Sequence, residues 1–262
     1  MIRRPPRSTQ GVSSAASDVY KRQHQLPTNA GPLQTKLLEI DQYCKVQKMK
    51  INEVKSKTAV FNVATSRDFY PRMVNNEGNS YENVEEFKLL GVDFMSHQKF
   101  GIKWDNYISK CIKQAYSNMW ILKRLVEKGV KKDDLIMTYQ SRIRTHLERN
   151  VPLWHFTINN KLVNNIEKIQ KACTYIILGK SATTNYDSNL ALLGLELMFD
   201  RREKLCKNFA KKSMRHPIHK KMYTWKQGSQ TRAKPKVIIP KAKTKRYGTS
   251  SIPSLSKIIN SF

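Results

Sequence analysis

After Trp104 the apolar residues of the chain recur at intervals of three and four, the spacing that places side chains on one face of an α-helix. The first stripe of this kind comprises Ile108, Ile112, Ala115, Met119, Leu122 and Val126. We predict that this helix ends at Gly129. A second helix is predicted over 131–148, and Pro152 closes it because proline cannot continue the hydrogen-bond ladder of a helix.

Two more helices complete this pattern. The third stripe consists of Leu162, Ile166, Ile169, Cys173 and Ile176, and it stops at Gly179. The fourth begins near Asn189, is interrupted near Gly194 and continues through Leu205 and Phe209. Four amphipathic helices with short connections cannot bury their apolar faces singly, so an antiparallel bundle is predicted. We interpret nearly all the methionine and aromatic residues on the stripes as its core.

Before Trp104 the pattern is mixed. Helical spacing is found at Leu33, Leu37, Ile40 and Cys44. Strands are predicted over 58–62 and 87–94, the second around Gly91, and the asparagine-rich segment 75–79 between them has the composition of a hairpin turn. Residues 33–96 are therefore predicted to form a helix followed by a small antiparallel sheet, which makes the chain α+β.

The first 23 residues follow neither period and contain Arg, Pro and Ser with few apolar residues. A disordered basic arm and an organelle presequence are two interpretations. The interpretation that we favour is translated read-through of a sequencing adapter, which the runs MIRRPPRST and SAASDVYKRQ resemble. On that hypothesis Met1 is not a natural start, and 1–32 form a non-native or disordered leader.

The net charge of the chain is its most informative bulk property. The chain has 48 Lys and Arg residues against 20 Asp and Glu, a formal net charge of +28. Such self-repulsion destabilises a compact protein unless a polyanion screens it, and nucleic acid is the polyanion whose phosphates release counterions when they bind Lys and Arg. A membrane surface would require an amphipathic basic helix or a lipid signal. We therefore expect nucleic acid as partner, no membrane, and a cytoplasmic or nuclear location.

The cysteines predict neither disulfides nor metal. Cys44, Cys111, Cys173 and Cys206 are widely spaced and form no Cys-x-x-Cys pair. Cys206 with His216 and His219 would give three metal ligands, but a structural zinc site needs a fourth at short spacing. We therefore expect reduced, mostly buried thiols and no metal site.

Beyond Glu203 the sequence has no acidic residue, while Lys and Arg continue to its end. A solvated charge run is the ordinary interpretation of such a patch, but the complete lack of carboxylates favours a flexible basic tail over 216–262 that follows a phosphate backbone. The cations predicted to bind nucleic acid there are Lys234, Lys236, Lys241, Lys243, Lys245 and Arg246.

Two short sequences carry more information than the composition. They are Lys50-Ile-Asn52-Glu-Val-Lys55, which precedes Thr58-Ala-Val-Phe61, and Phe87-Lys88-Leu89-Leu90-Gly91-Val92. In order and separation they resemble the last two palm motifs of LINE-type (non-LTR, jockey-like) retrotransposon reverse transcriptases. Further segments fall where the thumb and the C-terminal run of that family fall: Trp104, Leu153-Trp154, Ile166-Glu-Lys-Ile-Gln170-Lys-Ala, Ile177-Leu-Gly179, Arg201-Arg202, Arg246-Tyr247, Ile252-Pro253 and Leu255.

The resemblance covers nearly everything from Leu33 to Asn260. It implies a palm remnant with a primer-grip hairpin over 33–100, a helical thumb over 101–215 and the basic tail. Lys55 would face the triphosphate of the incoming nucleotide as a possible general acid; on its own it is an exposed lysine in a basic loop. The primer grip would consist of Phe87, Lys88, Leu90 and Gly91. The thumb cations would be Lys110, Lys113, Lys123 and Arg124.

The chain departs from this family in one essential respect. Polymerases hold two metal ions with carboxylates, and the aromatic-Ala-Asp-Asp signature expected before Leu33 is replaced by the adapter-like segment. Asp133-Asp134 is no substitute, because it opens a predicted helix where acidic residues favour the helix dipole. We therefore expect no cofactor and no polymerase activity in this chain alone, and Mg²⁺ only in an intact parent.

The leading hypothesis is a truncated reverse transcriptase that grips an RNA–DNA or RNA template–primer duplex through backbone contacts. A non-enzymatic basic RNA-binding protein is the second hypothesis, since the tail suits it equally, but the motifs at Lys55 and Phe87 have no role in it. An intron maturase fragment is the third, and specific binding to one intron RNA would favour it.

Overall fold

The structure of the protein, a computed structural model, describes residues 30–61, 72–97, 101–226, 237–242 and 245–262. Its elements belong to two units, a first unit that ends at Phe87 and a second unit from Lys88 to Phe262. Each unit has a hydrophobic core of its own. A small antiparallel sheet is combined with many helices, so the predicted α+β class is confirmed at this level.

The first unit is built on one helix, α1 (Ala30–Val46), which confirms the helical pattern that begins at Leu33. Its buried core residues are Cys44, Ile51, Met73 and Tyr81, with Leu33, Leu37, Ile40 and Met49 packed against them. The side chain of Gln34 on the same helix donates to the carbonyl of Val74 (2.6 Å) and accepts from its N–H (3.0 Å). This pair of bonds attaches α1 to the segment that follows residue 72.

The predicted asparagine-rich turn is present. Val74 and Ser80 form an antiparallel bridge across it. The side-chain oxygen of Asn75 accepts hydrogen bonds from the N–H groups of Glu77 (3.0 Å) and Asn79 (2.8 Å). An asparagine oxygen that bonds backbone two residues ahead is the usual way in which this residue type stabilises a tight turn.

Two short strands in the first unit differ from the prediction. β1 (Lys57–Thr58) and β2 (Glu82–Asn83) pair in parallel, whereas an antiparallel arrangement was expected. Parallel strands need a long connection, and residues 59–81 supply it. The strand predicted over 58–62 is also shorter than expected, and Asn62 lies outside the described residues.

A three-stranded sheet follows, with the strands in the order β3-β4-β5. The strands are β3 (Glu86–Leu89), β4 (Val92–His97) and β5 (Gly101–Lys103). β4 and β5 are antiparallel, with Met95 opposite Lys103. The single apolar run expected over 87–94 is therefore two strands, separated by Leu90 and Gly91.

The rest of the second unit is helical. In chain order its helices are α2 (Asp105–Ser117), α3 (Met119–Glu127), α4 (Lys132–Thr138), a π-helical segment (Tyr139–Arg144), α5 (Thr145–Glu148), α6 (Val151–Trp154), α7 (Asn160–Leu178), a 3₁₀ turn (Gly179–Ser181), α8 (Tyr186–Leu193), α9 (Met198–Arg215), α10 (Pro217–Lys220), α11 (Lys245–Gly248) and α12 (Ser251–Asn260). α7 contacts α2, α3, α4, α8 and α9, so it lies at the centre of the helical packing. The predicted helix ends at Gly179 and Gly194 are confirmed, since these glycines follow α7 and α8.

The apolar stripes of these helices meet in one core. The almost fully buried side chains include Ile108, Leu122, Ile143 and Ile166 of the first three predicted stripes. Leu205 and Phe209 of the fourth are half-buried against the same core, whereas Val126 of the first is 37% exposed. The interpretation of the stripes as core is therefore confirmed except at Val126. All four cysteines are free and buried, as expected.

One helix is divided where the pattern predicted no division, and Pro152 does not have the predicted role, although the second helix ends at Glu148 as predicted. The first predicted helix is divided at Asn118, whose amide donates to the carbonyl of Arg142 (2.9 Å) and lies 3.1 Å from His146 Nε2. Asparagine favours helix ends because its short amide competes for such groups. The second helix ends at Glu148, and Pro152 lies in the first turn of α6, where a missing N–H costs nothing.

A buried side-chain amide joins several of the helical segments. Gln170 on α7 accepts a hydrogen bond from the hydroxyl of Tyr139 in the π-helical segment (2.6 Å). Its NH₂ group donates to the carbonyl of Glu196 before α9 (2.9 Å) and to the hydroxyl of Tyr186 on α8 (3.2 Å). One side chain of the central helix therefore satisfies polar groups of three neighbouring segments.

The flexible tail predicted over 216–262 is wrong for a large part of the segment that the structure describes. α12 packs against α9 and α6 and buries Leu255 and Ile259. The side chain of Asn260 accepts from the N–H of Val237 (2.8 Å) and donates to its carbonyl (2.9 Å). Burial of the apolar stripe on α12 outweighs the repulsion that the lysine-rich composition suggested.

We expect Gln170→Leu to lower the free energy of unfolding by about 2–5 kcal/mol, because each buried polar group left without a partner costs about 1–3 kcal/mol. Urea denaturation followed by circular dichroism measures the effect. Gln114→Leu, at an exposed position of α2, is the matched control and should change the value by less than about 0.5 kcal/mol. Equal values for the two variants would show that the amide network is dispensable.

Candidate nucleic-acid interface

Lys55 lies in a loop of the first unit that its own sequence motif organises. The side-chain oxygen of Asn52 accepts a hydrogen bond from the N–H of Lys55 (3.0 Å), and the carbonyl of Asn52 accepts from the N–H of Ser56 (3.0 Å). The side chain of Lys55 is exposed. The spacing of Asn and Lys in the motif thus forms a turn that presents an ammonium group to solvent.

Glu53, which the sequence analysis did not single out, connects this loop to the asparagine turn. Its carboxylate accepts from the amide of Asn75 (2.8 Å) and from that of Asn79 (3.2 Å). The pattern that could have indicated it is an acidic residue in a basic loop, since a lone carboxylate among lysines commonly has a structural partner. The lysine loop is therefore attached to the turn by charge-assisted hydrogen bonds.

Two of the four residues predicted to form a primer grip, Leu90 and Gly91, occupy the turn between β3 and β4. Leu90 (φ 49°) and Gly91 (φ 80°) both have left-handed backbone conformations, which is the requirement of a two-residue hairpin of type I′. Leu90 is 80% exposed. A bulky residue rarely adopts this conformation, and strained residues cluster at functional sites. The hairpin thus presents an apolar tip to solvent.

The other two predicted grip residues lie in β3. Lys88 is exposed. The ring of Phe87 is half-buried and makes an edge contact with the ring of Phe61, with centroids 5.9 Å apart. Phe87 therefore packs within the first unit, and the exposed grip residues are Lys88, Leu90 and Gly91.

The four predicted thumb cations lie on α2 and α3 and are all exposed. Lys110 pairs with Asp93 of β4 (2.9 Å), and Arg124 pairs with Glu127 one turn ahead (3.1 Å). Within the described residues, neither Lys113 nor Lys123 has an ion-pair partner. The exposed face of these two helices is therefore positive, and its outermost ammonium groups are available to an anion.

Two aromatic residues on the same face were missed by the sequence analysis. Tyr116 and Trp120 are 66% and 62% exposed. They lie out of phase with the core stripe, whose neighbouring members Ala115 and Met119 are buried. That difference in phase is the signal that could have identified them, because an aromatic residue outside the apolar stripe must face solvent.

The predicted tail cations are only partly described. Lys234, Lys236 and Lys243 lie outside the described residues, as do the side chains of Lys245 and Arg246. Lys241 is described and exposed. Other cations near the end of α9 and after it are also exposed, namely Lys211, Lys212, Arg215, Lys220 and Lys221.

The described residues do not fit a two-metal polymerase site. No group of three or more His, Cys, Asp and Glu side chains among them could hold a metal ion. Asp133 and Asp134 lie in the first turn of α4, as predicted, and both are exposed. In the described part of the chain, no helix is both long and apolar enough to cross a bilayer.

The paired arginines of the thumb-like motif have internal roles. Arg201 pairs with Glu148 (2.8 Å) and Glu196 (3.4 Å). Arg202 is 1% exposed, and its guanidinium lies over the rings of Trp154 (5.7 Å) and Phe199 (6.0 Å). Contacts of this kind with ring faces stabilise a buried cation.

Burial lowers the pKa values of Arg202 and of the neighbouring His155. It lowers the pKa of Arg202, an effect that the charge of Glu167 opposes. Burial, and after it the charge of Arg202, lowers the pKa of His155 to about 4. The ring of His155 contacts those of Phe156 and Phe199. His155 is therefore neutral at physiological pH and belongs to the aromatic packing between α6 and α9.

Comparison of the chain with protein-family models, curated proteins and solved structures gives no match in any of the three.

We expect Gly91→Ala to destabilise the protein by about 1–2 kcal/mol, the cost of placing a Cβ in the left-handed region. A Cβ at Gly91 would meet nothing within 4 Å, so the backbone conformation alone causes the loss. Leu90→Asn is the matched control, because asparagine tolerates this region, and it should leave the unfolding temperature unchanged or slightly higher. If the Gly91→Ala variant were as stable as the Leu90→Asn variant, the left-handed conformation of the turn would be contradicted.

We expect the protein to lose stability on acidification through His155. Its pKa is lower in the folded state, about 4, than the ordinary value of 6.5, so the unfolded chain binds the proton more tightly. The stability contribution is therefore complete above pH 6.5 and is lost as the pH falls toward 4. Urea titrations across this range should show a shallower pH dependence for His155→Phe than for the wild type. The exposed His216 provides the control, since His216→Gln should follow the wild type.

Proposed function

We propose that this chain binds a template–primer duplex through its phosphate backbones, as the palm remnant and thumb of a LINE-type reverse transcriptase. The observation that carries the proposal is the exposed positive face of α2 and α3, with Lys113 and Lys123 as ammonium groups that have no ion-pair partner among the described residues. Together with a net charge of +28, such a face favours a polyanion because binding releases condensed counterions.

The hairpin turn supports the same proposal. Leu90 holds a strained conformation and exposes an apolar side chain. Gly91 has no Cβ, so another backbone can approach the turn closely. A tip of this kind suits van der Waals contact with the sugar edge of a primer strand better than it suits a hydrogen-bonded contact with bases.

The loop at Lys55 adds a third element in the first unit. Its ammonium group is exposed while Asn52 holds the backbone beneath it. In an intact polymerase of this class, such a lysine would neutralise charge on the triphosphate of the incoming nucleotide. In the described chain we propose only a phosphate contact for it, because a carboxylate set for metal is lacking among the described residues.

Two alternatives make different predictions. A basic RNA-binding protein would bind structured RNA without regard to a primer terminus. An intron maturase fragment would prefer one intron RNA over others of equal length. The exposed tip at Leu90 favours the duplex proposal, since neither alternative gives this residue a role.

Binding of an RNA–DNA hybrid should depend steeply on salt. A grip on six to ten phosphates loses about 10³–10⁵-fold in affinity between 50 and 200 mM salt. Fluorescence anisotropy with a labelled hybrid that has a recessed primer end measures the slope. Lys113→Ala and Lys123→Ala should each reduce the salt slope by about one unit.

The controls use the same assay. Lys45→Ala should leave the slope unchanged, because Lys45 lies on α1 of the first unit beside Asp41. Leu90→Asn should reduce the preference for a recessed primer end over a blunt duplex while it leaves the slope unchanged. Binding that is insensitive to salt, or no binding to the hybrid, would overturn the proposal.

A further inference from the structure

We propose that Tyr116 and Trp120, with the cations on either side of them, form a site for unpaired nucleotides, in which bases stack on the two rings. This site deepens the proposed function and rests on it, since it uses the same face of α2 and α3. It adds a second class of ligand, single-stranded nucleic acid or a single-stranded extension of a duplex, to a surface that otherwise contacts only phosphates.

The first observation is the alignment of four exposed residues. Lys113, Tyr116, Trp120 and Arg124 are separated by three, four and four positions, so they form one stripe along the two consecutive helices. The stripe is opposite the buried one that contains Ala115, Met119 and Leu122. Lys113 and Tyr116 belong to α2, and Trp120 and Arg124 belong to α3.

The second observation is the exposure of the two rings. Tyr116 is 66% exposed and Trp120 62% exposed, while Trp104 and Trp154 are buried. The hydrophobic effect normally places a tryptophan of an amphipathic helix in the core. Tyr116 lies near the end of α2 and Trp120 near the start of α3, so each of the two consecutive helices presents one exposed aromatic ring on either side of Asn118.

The third observation identifies the occupant. Lys113 precedes the rings and Lys123 and Arg124 follow them, and there is no acidic residue between Asn106 and Val126. An apolar protein partner would meet the ammonium groups of Lys113 and Lys123 here, whereas Arg124 is paired with Glu127. A polyanion with planar apolar groups satisfies both the cations and the rings, and single-stranded nucleic acid is such a ligand because every base has a π-face.

Base pairing excludes an intact duplex from the rings themselves, since its base faces are covered by their neighbours in the stack. Unpaired bases are open, and aromatic residues interleaved with a basic groove are the usual means of binding single strands without sequence preference. The stripe also begins one turn beyond Lys110, which pairs with Asp93 of β4. α2, which carries the first two residues of the stripe, therefore packs against the strand that follows the hairpin turn, within the same unit.

The test compares two ligands of equal charge. A short oligothymidylate and an abasic strand of the same length present the same phosphates, but only the first has bases. With the full chain, anisotropy should show tighter binding of oligothymidylate by about 5- to 100-fold, the range that base–aromatic stacking gives. Trp120→Ala should lower the preference for oligothymidylate, and the double variant Tyr116→Ala/Trp120→Ala should reduce oligothymidylate binding to the level of the abasic strand, while binding of the abasic strand stays unchanged.

Two further variants test whether the aromatic ring of Trp120 itself is responsible for the preference for oligothymidylate. Trp120→Phe keeps a flat side chain and should retain most of the preference for oligothymidylate. Tyr43→Ala is the control, because Tyr43 is 62% exposed on α1, as exposed as Trp120, and should have no effect. Circular dichroism of each variant establishes that it is folded. We expect Trp120→Ala to fold because the side chain of Trp120 is exposed. Lys113→Ala should weaken both ligands equally.

The outcomes separate this site from the proposed function. Equal binding of oligothymidylate and the abasic strand by the wild type overturns the stacking site, and so does a preference that survives the double variant Tyr116→Ala/Trp120→Ala. In that case, salt-dependent binding of the RNA–DNA hybrid would still support the duplex proposal. Loss of all nucleic-acid binding by the wild type overturns both.

Discussion

The second unit depends on the position of one neutral amide. Gln170 lies on α7, which packs against α2, α3, α4, α8 and α9, and its oxygen and nitrogen meet a tyrosine hydroxyl, a second tyrosine hydroxyl and a backbone carbonyl. The hydroxyl of Tyr186 in turn donates to Glu167 (2.6 Å), which also accepts from the N–H of Met198 at the start of α9 (3.1 Å). A hydrocarbon at position 170 would fill the space but leave these groups unpaired, so the amide specifies how the segments are arranged.

Ion pairs between side chains of the second unit help a protein with so large a positive charge to keep a folded core. Several of its few carboxylates are used inside the molecule. Glu148 pairs with Arg144 and Arg201, and Glu196 pairs with Arg201 and Lys204. Because these acidic groups stabilise helix contacts, they do not neutralise the exposed lysines of α2 and α3. These acidic side chains are paired among the helices, and the surface of α2 and α3 therefore keeps its positive charge.

Periodicity was sufficient to predict much of this fold. The stripes through Ile108, Ile143 and Ile166 gave the helices and the core, and the glycines at 179 and 194 gave helix ends, because both signals are local. The division at Asn118 was not predictable, since its cause is a carbonyl and a histidine that are distant in sequence. α12 was missed because a lysine-rich composition concealed an apolar stripe whose burial depends on α9. Of the candidate site, the cations and the hairpin turn could be chosen from the sequence, but the ion pair between Lys110 and Asp93 could not, because it joins a helix to a strand 17 positions away.

The distribution of the four thiols has a practical consequence. Cys44 is buried in the first unit, and Cys111, Cys173 and Cys206 are buried in the second. Burial raises the pKa of Cys173 and Cys206 to about 12, so these sulfurs are protonated and inert toward alkylating reagents while they are enclosed. Each unit therefore contains its own internal reporter, and the rate at which a given thiol is alkylated under native conditions records how often that unit opens.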